Sequence, residues 1–132
     1  MLTGLNHITL TVSELDKSLA FYQEVLGFKG HVKWDKGAYL SIPGLWLCLN
    51  LGQPERLNDY THFAFSLKES DYHNLVIKLK TNGVHQWQEN TSEGESFYFL
   101  DPDEHKLELH LGSLETRLAE LKTSPYKGLV WL

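Results

Sequence analysis

Two histidines and a glutamate, His7, His62 and Glu108, each stand on the polar side of an alternating strand pattern, in three separate stretches of the chain. In residues 5 to 12, Ile8, Leu10 and Val12 share one parity, while His7, Thr9 and Thr11 take the other. In 61 to 67, Phe63 and Phe65 oppose His62 and Ala64, and in 106 to 111, Leu107, Leu109 and Leu111 oppose Lys106, Glu108 and His110. Imidazole and carboxylate groups converging from three strands would suit a divalent metal such as Mn, Fe, Ni or Zn. Three protein ligands also leave coordination positions open, which a catalytic site needs. Other strands add polar-side residues of the same character: Tyr39 and Ser41, Trp46 and Cys48, Ser96 and Tyr98. Plainer readings compete. A lone strand histidine is more often hydrogen-bonded than metal-bound, Glu108 could be a solvated charge, and the aromatics could be strand fillers. His105 in a turn and His110 near a strand end rival Glu108 as ligands, whereas His31, His73 and His85 read as surface residues.

The elements that must carry these residues occur twice. A strand over 5 to 12 leads into a helix that Ser13 would cap, with Asp16 at the third helical position and Leu15, Leu19, Tyr22 and Leu26 on one stripe. Gly27 ends it, and strands over 28 to 34, 37 to 42 and 45 to 51 follow, split by Asp35-Lys36-Gly37 and Pro43-Gly44. After a polar connection over 52 to 59 the order restarts. A strand over 61 to 67 precedes a capping box on Ser66 and Glu69, a helix bearing Tyr72, Leu75, Val76 and Leu79, and strands over 84 to 88, 96 to 100 and 106 to 111. His7 and His62 hold matching places in the two copies, which raises the metal reading above the plain one. The expected fold is α+β in one domain, 1 to 132: two βαβββ modules, about 4 to 51 and 60 to 112, form a curved mixed sheet with a central metal cavity. An amphipathic helix on Leu114, Leu118 and Leu121, with an irregular tail, fills 113 to 132.

Composition narrows the partners. With 132 residues, 42% hydrophobic and 22% charged, the chain is long enough for one real core and too apolar for disorder. A net charge of −5 without any basic run argues against nucleic acid or an anionic membrane. The single cysteine, Cys48, excludes an intrachain disulfide. No apolar run spans a bilayer and the first residues lack the features of a signal peptide, so the expected compartment is the cytoplasm.

The repeat, together with G-L-N-H-I-T-L at the start, G-A-Y-L and G-L-W-L-C-L in the middle, D-Y-T-H-F-A-F, and N-T-S-E-G-E-S-F-Y-F-L-D-P-D, closely resembles the glutathione-dependent fosfomycin-resistance enzymes of the vicinal oxygen chelate superfamily. The resemblance runs from Met1 through P-Y-K-G at 125 to 128. It implies metal ligands His7, His62 and Glu108 with Mn²⁺ preferred, in a homodimer that exchanges modules so that each site takes its first histidine from one subunit and the other two ligands from the partner. It implies that Thr9 donates a hydroxyl beside the epoxide oxygen, with Tyr39 also at the reacting centre. Ser92, Ser96, Tyr98 and Arg117 would hold the phosphonate, with Gln88 beside them, and Trp46 and Tyr60 would wall the pocket. Trp34, Tyr39 and Cys48 would line the route of glutathione. The loop of Asn90, Ser92, Glu93, Gly94 and Ser96 would bind K⁺. The sequence departs from the family where lysine is common at Gln88, arginine at Thr91 and glycine at Glu104. Hydrolytic relatives carry a glutamate base where this chain has Gly37, which speaks against water as the nucleophile. Other-thiol transferases, glyoxalase-like isomerases, dioxygenases and a non-catalytic drug-binding module are the rival readings.

Overall fold

A computed structural model describes every residue from 1 to 132. In the first half, strand β1 (His7–Val12) leads to helix α1 (Leu15–Ala20), which runs on as a π-helical turn over Phe21–Val25. Three strands follow, β2 (Lys29–Trp34), β3 (Gly37–Ile42) and β4 (Leu45–Leu51). The second half repeats the order with β5 (Phe63–Ser66), α2 (Glu69–Thr81), β6 (Gln86–Gln88), β7 (Ser96–Leu100) and β8 (Lys106–His110), and α3 (Leu114–Thr123) closes the chain. The sheets have the same wiring, β1-β4-β3-β2 and β5-β8-β7-β6, and in each the first strand pairs in parallel with the last. The internal repeat read from the sequence is therefore a repeat of topology, and the two sheets are distinct within one chain.

The apolar parities of both sheets meet in one core. Leu10, Val12, Leu47 and Leu49 from the first half join Phe97, Phe99, Leu107 and Leu109 from the second. The π-helical turn sits at the seam: Phe21 packs on Phe99 at 6.4 Å, Phe28 on Phe65 at 5.8 Å, and the Tyr22 hydroxyl donates to Asp101 at 2.7 Å. Burial, with the Asp101 carboxylate beside it, holds the Tyr22 phenol well above its ordinary pKa, so it stays a donor. Because side chains alternate along a strand, sharing the apolar faces leaves each polar face turned away from that core.

Several helix starts differ from expectation. Ser13 does not cap α1: its backbone N–H and hydroxyl bond Asp103 at 3.1 and 2.5 Å, ninety residues away, and Glu14 is the N-cap without a side-chain bond. Ser66 makes no capping box either, since α2 begins later, with Lys68 at its N-cap. The true capping box is at α3, where Ser113 and Thr116 bond each other's backbone N–H groups. His105 donates to the Thr11 carbonyl at 2.7 Å. Together with Asp101 and Asp103 it makes the turn before β8 a latch onto the first half, which removes it as a metal ligand. Glu104, in that turn, has φ 66°, the left-handed conformation expected where glycine is usual. The strands expected from 5, 28, 61 and 84 begin at His7, Lys29, Phe63 and Gln86, and the last ends at His110 rather than 111.

Ser18 on α1 is fully buried and its hydroxyl has no hydrogen-bond partner. An unsatisfied buried hydroxyl costs about 1 to 3 kcal/mol, and alanine is the better helix former. Ser18→Ala is expected to raise the thermal unfolding midpoint by about 3 to 15 °C, measurable by calorimetry. No helix is long and apolar enough to cross a membrane.

Candidate active site

The second sheet carries a His–Glu pair. Glu108, in the middle of β8, is 6% exposed, and its Oε2 lies 2.9 Å from His62 Nε2. His62 precedes β5, and its Nδ1 lies 2.7 Å from the Tyr60 carbonyl oxygen, which can only accept. Nδ1 therefore donates to that carbonyl, which leaves Nε2 facing the Glu108 carboxylate. An imidazole nitrogen and a carboxylate oxygen at this distance share either a proton or a bound cation, and a metal can take the place of that proton. The other carboxylate oxygen, Oε1, accepts from Ser96 at 2.7 Å.

On the first sheet His7 has the same preparation. Its Nδ1 lies 2.7 Å from Asn6 Oδ1, an acceptor, which leaves Nε2 free, and its ring packs on Trp46 at 4.6 Å. Fixing Nδ1 on an oxygen so that Nε2 is available is how histidines are oriented for metals. These donors, two imidazoles and one carboxylate, fit a divalent transition metal. Yet no three His, Cys, Asp or Glu side chains of one chain come together as a metal-holding group, because His7 belongs to one sheet and His62 and Glu108 to the other. A central metal cavity complete within a single chain is thus absent.

The remaining expected residues fall into the same two clusters. Around His7, the register sets Thr9 against Cys48 and Cys48 against Tyr39. Trp34, Tyr39 and Trp46 form an edge-on aromatic run at 4.8 and 5.2 Å, each about 40% exposed. Around His62, Tyr98 stands opposite Glu108 in register. Burial is the main cause lifting the Tyr98 phenol above its ordinary pKa; the Glu108 charge adds to it, and the neighbouring Ser92 and Ser96 side chains pull the other way. Tyr98 is accordingly a neutral donor at physiological pH. Gln88 Nε2 donates to the Tyr60 hydroxyl at 2.8 Å. The 90 to 96 loop closes on itself, with Asn90 Nδ2 donating to the Gly94 carbonyl at 2.8 Å and the Ser92 hydroxyl donating to Asn90 Oδ1 at 3.1 Å. Arg117, from α3, donates to Glu93 at 3.2 Å, to Ser92 Oγ at 3.4 Å and to the Tyr126 hydroxyl at 3.3 Å. Its charge is aimed at this loop, though already partnered there.

Sequence reasoning passed over Trp87, which packs against Tyr60, His62 and Tyr98 within 5.7 Å and donates to the Leu107 carbonyl. The Gln-Trp-Gln alternation was the available signal. It also missed Asn6, Tyr126 and the position of His110, whose Nδ1 lies 2.7 Å from Ser96 Oγ. An apolar cleft of about 480 Å³, lined by Phe28, Phe65 and Leu109 among others, opens on the opposite parity of the second sheet and contains none of these residues.

Fold and donor set together match a known class. Residues 4 to 109 match the Glyoxalase/Bleomycin resistance protein/Dioxygenase superfamily, and the chain belongs to it. Within that class it is 50% identical to the glutathione transferase FosA of Serratia marcescens, over 99% of this chain and 96% of that one. It is 40% identical to the metallothiol transferase FosB of Staphylococcus epidermidis, over 92% of this chain and 93% of that one. Among solved structures it is similar to the fosfomycin resistance protein FosX of Listeria monocytogenes complexed with Mn(II) and sulfate, with a TM-score of 0.82 and 35% identity, over 91% of this chain and 98% of that one.

Proposed function

We propose that this protein inactivates fosfomycin by transferring glutathione to its epoxide, in a divalent-metal site, with Mn²⁺ preferred, that two copies of the chain assemble together. The observation that carries the reading is the His62–Glu108 pair, an imidazole nitrogen and a carboxylate oxygen 2.9 Å apart with the other ring nitrogen bonded to the Tyr60 carbonyl. His7, prepared in the same way on the other sheet, supplies the third ligand from the partner copy. The FosA, FosB and FosX likenesses support fosfomycin as substrate, and the nearly full-length likeness to a FosA glutathione transferase supports glutathione over another thiol. Such chemistry places the protein where reduced glutathione is abundant, in the cytoplasm.

His7, His62 and Glu108 would hold the metal, which would supply Lewis acidity to the epoxide. The glutathione thiol gives up its proton to solvent and its sulfur forms a bond to the ring carbon next to phosphorus, the bond from that carbon to the epoxide oxygen breaks, and that oxygen takes up a proton from solvent. Thr9, exposed at the polar face of β1 two residues from His7, is the residue we assign to donate its hydroxyl to that oxygen. Tyr98, held neutral, donates to the phosphonate, while Ser92 and Arg117 bring the loop and its charge to the same anion. The aromatic run of Trp34, Tyr39 and Trp46, with Cys48 beside it, guides the thiol, and Tyr60 and Trp87 wall the opposite side. Asn90 Oδ1, Ser92 Oγ, Glu93 and the Gly94 carbonyl offer the oxygen donors that a K⁺ ion takes. Ser96, whose hydroxyl donates to Glu108 at 2.7 Å, is left out of the phosphonate contacts in this reading.

Water as the nucleophile is disfavoured at Gly37. A Cβ there would lie 2.6 Å from the Leu49 carbonyl and 2.7 Å from the Trp34 ring, so the position has no room for the glutamate base of hydrolytic relatives. The test is thiol consumption with fosfomycin, glutathione, Mn²⁺ and K⁺, each left out in turn. The reading expects no turnover without fosfomycin or Mn²⁺ and reduced turnover without K⁺. Consumption that is indifferent to Mn²⁺ would reject it.

Gln88 gives a graded prediction. A lysine there replaces a neutral contact near the anion with a charged one, worth about 1 to 2 kcal/mol. Gln88→Lys is expected to lower KM for fosfomycin by about 5- to 30-fold with kcat changed less, because the phosphonate is remote from the bond that breaks. Steady-state kinetics at two salt concentrations checks it.

A further inference from the structure

His110 lies on the same face of β8 as Glu108, and its surroundings are built around its ring. Ser96 Oγ is 2.7 Å from Glu108 Oε1 and 2.7 Å from His110 Nδ1. The serine has one proton to give. An ionised carboxylate has none, so that proton must go to Glu108, and His110 must then carry a proton on Nδ1 and donate it to Ser96 Oγ. The hydrogen bonds run in one direction, from His110 through Ser96 to Glu108.

Two glycines hold the imidazole in place. A Cβ on Gly94, at φ 76°, would come within 3.1 Å of His110 Cε1, and one on Gly112, at φ 149°, within 2.7 Å of Nε2. Backbone from the 90 to 96 loop and from the segment after β8 therefore closes on the ring where only glycine fits. The ring is 18% exposed, and its Nδ1 lies 3.5 Å from Glu108 Oε1, too far to replace the serine. His110 is accordingly no rival ligand in this arrangement, because its donor nitrogen is turned to Ser96.

We infer that His110 is a positioning residue: through the Ser96 hydroxyl it pins Glu108 Oε1 and so presents Oε2, beside His62 Nε2, as the oxygen that takes the metal. The inference rests on the metal site proposed above. Hydrogen bonds to a ligating carboxylate of this kind typically change metal affinity by about 10- to 100-fold when removed.

The test is Mn²⁺ binding to metal-free protein by titration calorimetry, with no substrate present, in His110→Leu, His110→Asn, Ser96→Ala and the Ser96→Ala/His110→Leu double variant. Asparagine places an amide N–H close to where Nδ1–H stands, and leucine places none. His110→Leu is expected to weaken Mn²⁺ binding by about 10-fold, with His110→Asn within about 3-fold of the parent, the unfolding midpoint of the metal-free proteins unchanged, and no further loss on adding His110→Leu to Ser96→Ala. Full affinity in His110→Leu overturns the inference. So does equal loss in His110→Asn and His110→Leu with a lowered unfolding midpoint, which would make the ring a packing element, or additivity in the double variant. If the parent itself binds no Mn²⁺, it is the metal-site reading that fails, a result distinguishable from failure of the relay.

Discussion

Glu108→Gln should abolish fosfomycin conjugation, with turnover below about one-thousandth of the parent, while leaving the fold intact. The amide can satisfy both contacts that the carboxylate makes: its oxygen accepts from Ser96, and its N–H can donate to His62 Nε2. No buried group is stranded, so stability should hold within about 1 kcal/mol. What disappears is the negative charge and the open acceptor beside His62. Losing one of three ligands should weaken Mn²⁺ by about 10-fold or more, at least about 1.4 kcal/mol. The larger loss in rate follows because the metal's polarising effect on the breaking bond is worth several kcal/mol. His7→Ala, His62→Ala and Glu108→Ala should be equally inactive, and of these Glu108→Ala also strands the Ser96 hydroxyl. Near-parent turnover and Mn²⁺ affinity in Glu108→Gln would move the ligand role to His110 or Glu93.

Two inactive variants should restore each other when mixed. His7→Ala and Glu108→Ala proteins, unfolded together and refolded, would form homodimers without intact sites and mixed dimers in which one site combines intact His7 with intact His62 and Glu108. Random pairing would return about a quarter of the parent's sites. The effect is large because it rises from nearly nothing, and it depends only on which chain each ligand comes from. Were His7 to reach His62 and Glu108 within its own chain, no mixture would recover activity. The separate sheets and their outward polar faces argue for exchange.

Much of this was legible in the sequence because strand parity is a short-range signal. His62 and Glu108 stand on the polar parity of their strands, and the Phe and Leu residues opposite them fill the core as expected. The doubled order of elements was equally plain, since turn residues punctuate it. Contacts far apart in sequence were not legible. Ser13 looks like a helix cap and instead bonds Asp103, and His105 looks like a candidate ligand and instead holds the Thr11 carbonyl. The π-helical turn at Phe21–Val25 is invisible to a 3.6-residue stripe, although it sets Phe21 and Tyr22 against the second half. Ser96 could be placed on the right face from its parity, but whether its hydroxyl met substrate or Glu108 depended on the neighbouring strand.

Identification of the product tests the central claim most directly. Fosfomycin incubated with the protein, Mn²⁺, K⁺ and glutathione should yield the glutathione adduct bonded through sulfur to the carbon next to phosphorus, seen by phosphorus NMR and mass spectrometry. With glutathione omitted the epoxide should remain intact. A diol formed at the same rate with or without the thiol would make this a hydrolase despite the absence of room at Gly37, and would contradict the account.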